Sequence, residues 1–121
     1  MRDNIVKNKS FLFAVRVVKL YQFLCKQKKE FVLSKQLLRS GTSVGAMVRE
    51  AEHAETKNDF KHKMGIAQKE INETIYWLEL LKDTDYLTQE QFESINNDAV
   101  EIIKLITSII KSVKANINNY K

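Results

Sequence analysis

Proline is absent from the 121-residue chain, glycine occurs only three times and cysteine only once. Without proline, helices can run for many turns without a break. An all-β fold needs many tight turns, for which glycine and proline are preferred, so the scarcity of both disfavours it. A single cysteine excludes an internal disulfide and a cysteine-rich metal site. These absences predict an all-α protein.

Long apolar runs are missing as well. The apolar segment that follows Met1–Lys9 is interrupted by Arg16 and Lys19. No stretch reaches the about 18 apolar residues that indicate a membrane span, and the N-terminal region lacks the pattern of a secretory signal. We therefore expect a cytoplasmic protein that does not enter the membrane.

Apolar residues recur every three or four positions over most of the chain, which is typical of amphipathic helices. Four helices are predicted: Ser10–Lys28 (or from as early as Asp3), Lys35–His53, a third ending near Lys82, and a fourth from Thr88 to about Asn116. Short connections between them predict an up-down-up-down four-helix bundle, in one domain spanning residues 1–121. The third helix has the core stripe Phe60, Met64, Ala67, Ile71, Thr74, Leu78 and Leu81, and the fourth has Phe92, Ile95, Ala99, Ile102, Ile106, Ile109 and Val113.

Polar residues at the predicted helix starts identify candidate N-caps. Ser34 is the candidate for the second helix, and Thr56 or Asn58 for the third. Thr88 followed by Gln91 predicts a capping box at the start of the fourth.

The second predicted helix contains an unusual run of small residues between Ser40 and Ala46. An interior glycine costs a helix about 1 kcal/mol relative to alanine. A helix that carries this cost usually allows another backbone to come close. Gly41 and Gly45 lie four residues apart, on one face, so they are predicted to face a closely packed neighbour.

The first predicted helix has apolar residues on two nearly opposite faces. One stripe holds Phe11, Ala14, Val18, Tyr21 and Cys25, and the other holds Phe13, Val17, Leu20 and Leu24. A bundle helix needs one apolar face, so the second predicts self-association. The predicted interface between subunits is Phe13, Val17, Leu20, Leu24 and Trp77. The alternative is a wide core face with scattered exposed apolar residues.

Charge is unevenly distributed. Residues 1–39 hold ten Lys and Arg against two acidic residues, a net charge of +8, whereas residues 40–121 hold ten against thirteen, a net charge of −3. This asymmetry indicates an anionic partner. The predicted nucleic-acid-binding residues are Arg16, Lys19, Lys26, Lys28, Lys29 and Lys35. Tyr21 and Phe23 are expected to pack, so binding should be salt-dependent and tolerant of sequence. The alternative is a basic surface that only confers solubility.

No pattern of catalytic residues stands out. Glu50 and His53 form a single Glu-x-x-His motif, whereas bundle di-metal sites use two. We therefore predict no metal, no cofactor and no catalytic residue. Four residues on adjacent helices are predicted to form a structural polar network: Arg39, Ser43, Glu50 and Glu73.

An ordered set of residues in the second and third predicted helices resembles a known family. The set is Leu38-Arg39-Ser40, Ser43-Val44, Glu50-Ala51, Asp59-Phe60, Ile66-Ala67, Glu73 and Trp77-Leu78. It resembles the bacterial four-helix-bundle proteins encoded in intervening sequences of the large-subunit ribosomal RNA gene. These are similar to the accessory variability determinant proteins of diversity-generating retroelements. Met47 departs from the family pattern, where Asn is expected.

The resemblance implies a homopentameric barrel of four-helix subunits. For the retroelement relatives it also implies a basic surface that contacts nucleic acid and a reverse transcriptase, which is therefore a possible partner. We interpret the chain as a non-enzymatic homo-oligomer that binds RNA or DNA or acts as a scaffold. A protein-interaction module with no nucleic-acid role is the alternative, and a metal-dependent enzyme is the weakest hypothesis.

Overall fold

The computed structural model describes the backbone of residues 2–119 and the side chains of residues 5–117. It contains four helices: α1 (Arg2–Lys26), α2 (Leu33–Glu52), α3 (Lys57–Asp83) and α4 (Gln89–Asn119). Over the described backbone, none of the secondary structure is strand. The prediction of an all-α four-helix bundle is confirmed.

Each helix packs against the two helices beside it. α1 contacts α2 and α4, and α3 contacts the same two helices, whereas over the described backbone no Cα atoms of diagonally opposed helices come within 8 Å of each other. Short turns join helices that follow each other in the chain, so neighbouring helices are antiparallel. The apolar side chains that face inward form one continuous core along the bundle.

The core stripes predicted for α3 and α4 are confirmed. Met64, Ile71 and Leu78 of α3 are fully buried, as are Ile102 and Ile106 of α4. At the ends of the stripes, Phe60 and Val113 are partly buried and pack against the core. The polar Thr74 in the α3 stripe is also buried, and its Oγ1 lies 3.0 Å from Ser40 Oγ of α2.

Two of the predicted caps are confirmed. Thr56 Oγ1 accepts a hydrogen bond from the backbone N–H of Asp59 at 3.0 Å. At the start of α4, the backbone N–H of Thr88 donates to Gln91 Oε1, and the N–H of Gln91 donates to Thr88 Oγ1. This reciprocal pair is a capping box.

The predicted cap of α2 is wrong. Ser34 lies inside the helix, and its hydroxyl donates to the backbone oxygen of Glu30 at 2.8 Å. The carboxylate of Glu30 caps the helix instead, because it reaches the first free N–H groups from a position before the helix begins.

The two apolar faces of α1 have the opposite roles to those predicted. Phe13, Val17 and Leu24 are at most 1% exposed and belong to the core of the subunit, and Leu20 packs against them. Their burial therefore requires no second subunit. The face left open to solvent carries Phe11, Leu12 and Val18. Composition alone could not distinguish these faces, since both are apolar.

The close approach predicted for α2 is confirmed, and its neighbour is α1. A Cβ atom added to Gly41 would lie 2.7 Å from both γ-methyl carbons of Val17, and one added to Gly45 would lie 3.3 Å from the backbone oxygen of Ser10. Gly65 in α3 has open space around it. The two α2 glycines therefore let α1 and α2 pack more closely than larger residues would allow.

We predict that Gly41→Ala lowers the free energy of unfolding by about 1–2 kcal/mol, because overpacking outweighs the gain in helix propensity. The matched control Gly65→Ala should raise it by up to about 1 kcal/mol, since the new methyl meets no atom. Urea denaturation measures both. Adding Val17→Ala to the Gly41→Ala protein should reduce the penalty of the alanine. Equal stabilisation by Gly41→Ala and Gly65→Ala would contradict the close contact.

Candidate nucleic-acid interface

The turn between α1 and α2 lies at one end of the bundle, which it shares with the α3–α4 turn, and it carries most of the predicted binding residues. The chain reverses direction at Lys29, whose φ of 54° lies in the left-handed region that non-glycine residues rarely adopt. The backbone N–H of the next residue, Glu30, donates to the oxygen of Leu24 at 3.0 Å and closes the turn onto the end of α1.

Glu30 fixes the other half of this turn. Its carboxylate accepts hydrogen bonds from the backbone N–H groups of Val32 at 3.1 Å, Leu33 at 3.0 Å and Ser34 at 2.7 Å. Burial by itself raises the pKa of Glu30, but the hydrogen bonds from Leu33, Ser34 and Val32 outweigh it and hold this pKa below the usual range. The side chain is therefore a charged N-cap at the positive end of the α2 dipole.

This arrangement removes acidic charge from the surface of the turn. Residues 4–49 contain ten Lys and Arg but a single acidic residue, Glu30. Since Glu30 is only 8% exposed and faces the backbone of α2, its charge is compensated inside the turn. The surface of the α1–α2 turn is consequently basic, whereas the segment around the α3–α4 turn, at the same end of the bundle, carries the exposed acidic residues Asp83, Asp85 and Glu90.

Four of the six predicted binding residues come together at this end: Lys26, Lys28, Lys29 and Lys35. All four are exposed. Within the described part of the chain, none of them forms a salt bridge. The ammonium of Lys28 lies 5.9 Å from the ring centre of Phe23, at the outer limit of a cation–π contact. We call these four residues the lysine tip.

The other two predicted residues lie further along α1. Lys19 is exposed, one heptad before Lys26 and hence about 10 Å from it along the same helix face. Arg16 is committed to α4: its guanidinium donates to Asp98 Oδ2 at 2.7 Å and to Ser94 Oγ at 2.9 Å. Its main contact therefore joins two helices, and it offers less charge to a ligand than the lysine tip does.

The predicted polar network is present in part. The guanidinium of Arg39 donates to Glu70 Oε2 at 2.9 Å and also to Glu73, and Ser43 Oγ donates to the backbone oxygen of Arg39 at 2.6 Å. Glu50 does not belong to it, because it pairs with Lys63 at 3.0 Å. The hydrogen bond and charge of Glu50 raise the pKa of Lys63.

The Arg39 network is not a buried one. The Arg39 side chain is half exposed, so solvent screens its pairs with Glu70 and Glu73. Pairs of this kind contribute at most about 1 kcal/mol each. Their geometry joins α2 to α3, which is a structural role.

Exposed apolar residues occur in two places. Phe11, Leu12 and Val18 form the α1 apolar surface, where the guanidinium of Arg49 lies 5.2 Å from the Phe11 ring centre. Phe31 and Val32 lie on the α1–α2 turn, beside the lysine tip. Trp77, predicted to lie between subunits, is partly buried against the core of its own subunit.

Other candidate sites have no further support. Among the side chains of residues 5–117, no three His, Cys, Asp or Glu groups come close enough to hold a metal ion. The Cys25 thiol is half-buried, 3.8 Å from Ser34 Oγ. Across residues 2–119, no helix has the length and apolar character needed to cross a membrane.

Three residues of the turn were not identified as functional residues from the sequence. Glu30 lies four residues before Ser34, outside the usual capping positions, so no motif identified it. Phe31 and Val32 directly precede Leu33, and an apolar run of this kind is usually interpreted as part of the hydrophobic core. The clearest signal available was the isolation of Glu30 as the one acidic residue among many lysines.

The fold and its charged end define a small all-α bundle with a basic surface. Residues 2–108 match the family model described as 23S rRNA-intervening sequence protein, so the chain belongs to this family. The predicted resemblance is confirmed. The similarity to retroelement accessory proteins stays a prediction.

A solved structure from Bacteroides thetaiotaomicron VPI-5482 is also similar. It is described as a protein with unknown function from the S23 ribosomal protein family. The two sequences are 64% identical, the TM-score is 0.91, and the match covers 92% of this chain and 99% of that one. No curated protein sequence matches the chain.

We predict that Glu30→Gln destabilises the protein at pH 7 by about 1 kcal/mol, because a neutral amide is a weaker cap at a helix N-terminus. The folded-state pKa of Glu30 is lowered, so its contribution is complete above the usual glutamate pKa of about 4.3. That contribution is lost as pH falls through the folded-state pKa. The stability difference between wild type and Glu30→Gln should therefore shrink in acid, as measured by urea denaturation at several pH values.

The control for this experiment is Glu79→Gln, a substitution at an exposed residue, which should change the free energy of unfolding little at any pH. A Glu30→Gln penalty that is the same at pH 3 and pH 7 would refute the charged cap.

Proposed function

We propose that the protein is a non-enzymatic, homo-oligomeric scaffold or accessory protein that binds nucleic acid through the lysine tip. The observation that carries this proposal is the grouping of four exposed lysines without ion-pair partners among the described residues, around a turn whose one carboxylate faces inward. What distinguishes this grouping is that the four lysines fall within ten consecutive positions around one turn, close to exposed Phe31 and Val32.

The chemistry of lysine indicates what part of a nucleic acid would be recognised. Its ammonium is a compact point charge on a flexible stem, which suits phosphate oxygens better than the edges of bases. Each phosphate contact releases condensed counterions, so affinity falls steeply with salt. Binding of this kind tolerates many sequences. RNA is a plausible ligand because the family description refers to a 23S rRNA intervening sequence.

Oligomerisation would strengthen such weak contacts. Each added subunit supplies another lysine tip, and linked tips raise avidity without any new type of contact. A homo-oligomer therefore fits a protein whose single basic end is small.

We predict that binding to fluorescein-labelled RNA and DNA, measured by fluorescence anisotropy, is detectable at low salt and weakens as salt is added. Each neutralised phosphate should steepen the log–log slope by about 0.7 on single strands and about 0.9 on duplex DNA. Replacing Lys26, Lys28 and Lys29 with Glu should abolish binding.

The matched control replaces three exposed α4 lysines with Glu: Lys104, Lys111 and Lys114. Both triple variants change the formal net charge from +5 to −1, so they differ only in where the charge is lost. Equal loss of binding in the two variants, or no binding by the wild type at low salt, would contradict a specific role for the lysine tip.

The second candidate function is a protein-interaction module with no nucleic-acid role. The α1 apolar surface favours it, because Phe11 and Leu12 are 51% and 63% exposed beside the partly exposed Val18. Several exposed apolar side chains on one helix are a candidate contact site between proteins. The same surface is our revised candidate for the interface between subunits, in place of the buried residues first predicted.

We predict that light scattering of the wild type gives a mass several times the 14.1 kDa of one chain. Phe11→Glu together with Leu12→Glu should reduce it to a monomer, because burying two carboxylates in a subunit contact is unfavourable. Tyr76→Glu, at an exposed aromatic on α3, is the control and should leave the mass unchanged. A monomeric wild type at micromolar concentration would reject self-association.

A further inference from the structure

Phe31 lies on the α1–α2 turn, beside the lysine tip. It is 56% exposed, and its neighbour Val32 is 72% exposed. A single exposed apolar side chain is ordinary on a protein surface, but here two adjacent ones stand next to a group of unpaired lysines.

The backbone on both sides of Phe31 is held by hydrogen bonds. On one side, the N–H of Glu30 is bonded to the oxygen of Leu24, and on the other the Glu30 carboxylate holds the N–H groups of Val32, Leu33 and Ser34. Phe31 is thus displayed by a turn that is fixed at both ends. Such preorganisation lowers the entropy cost of binding a ligand.

The surroundings of Phe31 differ from those of the other exposed aromatic residues. Lys28 and Lys29 precede it in the turn and Lys35 follows in the first turn of α2, so exposed lysines flank Phe31 along the chain on both sides. Phe11 is already covered on one side by Arg49, and Tyr76 packs edge-on against Trp77 with ring centres 5.0 Å apart.

We propose that the tip binds single-stranded nucleic acid, with an unpaired base stacked on Phe31 and the flanking phosphates held by Lys28, Lys29 and Lys35. This inference rests on the proposed nucleic-acid function and specifies its ligand. An aromatic face surrounded by ammonium groups matches a base next to phosphates, because every base offers a π-face and every nucleotide a negative charge. Paired bases inside a duplex are already stacked and cannot cover the ring.

The positive charges of the lysine tip favour a polyanion over an apolar protein surface as its ligand. An apolar protein surface would not need the four lysines, and it would leave them without counter-charges. A single-stranded polyanion satisfies both the lysines and the ring. Single-stranded RNA and DNA share this chemistry, and the experiment distinguishes them.

The test measures anisotropy with four fluorescein-labelled probes: single-stranded oligouridine RNA, single-stranded oligothymidine DNA, and a duplex of each type. Phe31→Ala should weaken binding of single strands about tenfold and leave duplex binding unchanged. Phe31→Leu keeps the apolar area without the π-face and should bind as weakly as Phe31→Ala. Tyr76→Ala is the matched control and should bind like the wild type.

A direct readout uses Phe31→Trp, which should retain single-strand affinity. Its added tryptophan emission should be quenched when a single strand binds, whereas the emission of the wild type, from the partly buried Trp77, should change little. A ratio of RNA to DNA affinity above one would identify RNA as the preferred source of the unpaired base.

The outcomes separate this inference from the proposed function. If Phe31→Ala binds single strands as the wild type does, while the Lys26/Lys28/Lys29→Glu variant loses binding, stacking is refuted and the basic interface stands. If Phe31→Leu binds like the wild type, or if the wild type binds vesicles of anionic lipid and no oligonucleotide, stacking is likewise overturned. If the wild type binds no probe at low salt, the proposed function fails with it.

Discussion

The carboxylate of Glu30 is the interaction on which the α1–α2 end of the bundle depends. Three backbone N–H groups at the start of α2 would otherwise lack intrahelical partners, as the first N–H groups of every helix do. By accepting all three, Glu30 caps the start of α2. The same contact withdraws the one acidic charge from a lysine-rich segment and leaves Phe31 on the outside. A single side chain therefore caps the helix and keeps the one carboxylate of this segment away from the surface lysines.

Ion pairs show how the remaining charges are used. Lys9 pairs with Glu101 and Arg16 with Asp98 between α1 and α4, and Lys63 pairs with Glu50 between α2 and α3. Each is exposed enough to contribute little stability, although each joins two adjacent helices. Exposed lysines without salt bridges among the described residues also occur on α4, but the lysine tip is where four of them lie on one short segment of the chain.

Most of the fold could be predicted from the sequence, because the 3–4 spacing of apolar residues in α3 and α4 has one interpretation. Thr56 and the Thr88–Gln91 pair were identified since their spacing matches capping motifs. The small residues of α2 also predicted a close neighbour correctly. In contrast, α1 has two apolar faces of similar size, and which one enters the core depends on the placement of α2 and α4. Likewise, Arg39 and Glu50 share a flank of α2, but only the register against α3 decides that Glu50 contacts Lys63 instead.

The order of contacts around the bundle has a consequence for folding. Three of the four helix seams join helices that follow each other in the chain, so they close short loops. The seam between α1 and α4 joins residues as far apart in the chain as Lys9 and Glu101, which form a salt bridge, and it carries the largest loop-closure entropy. We expect this seam to form late and to open first. An opened α1 could pair with α4 of another copy, so that two chains exchange a helix while every contact of the bundle is preserved.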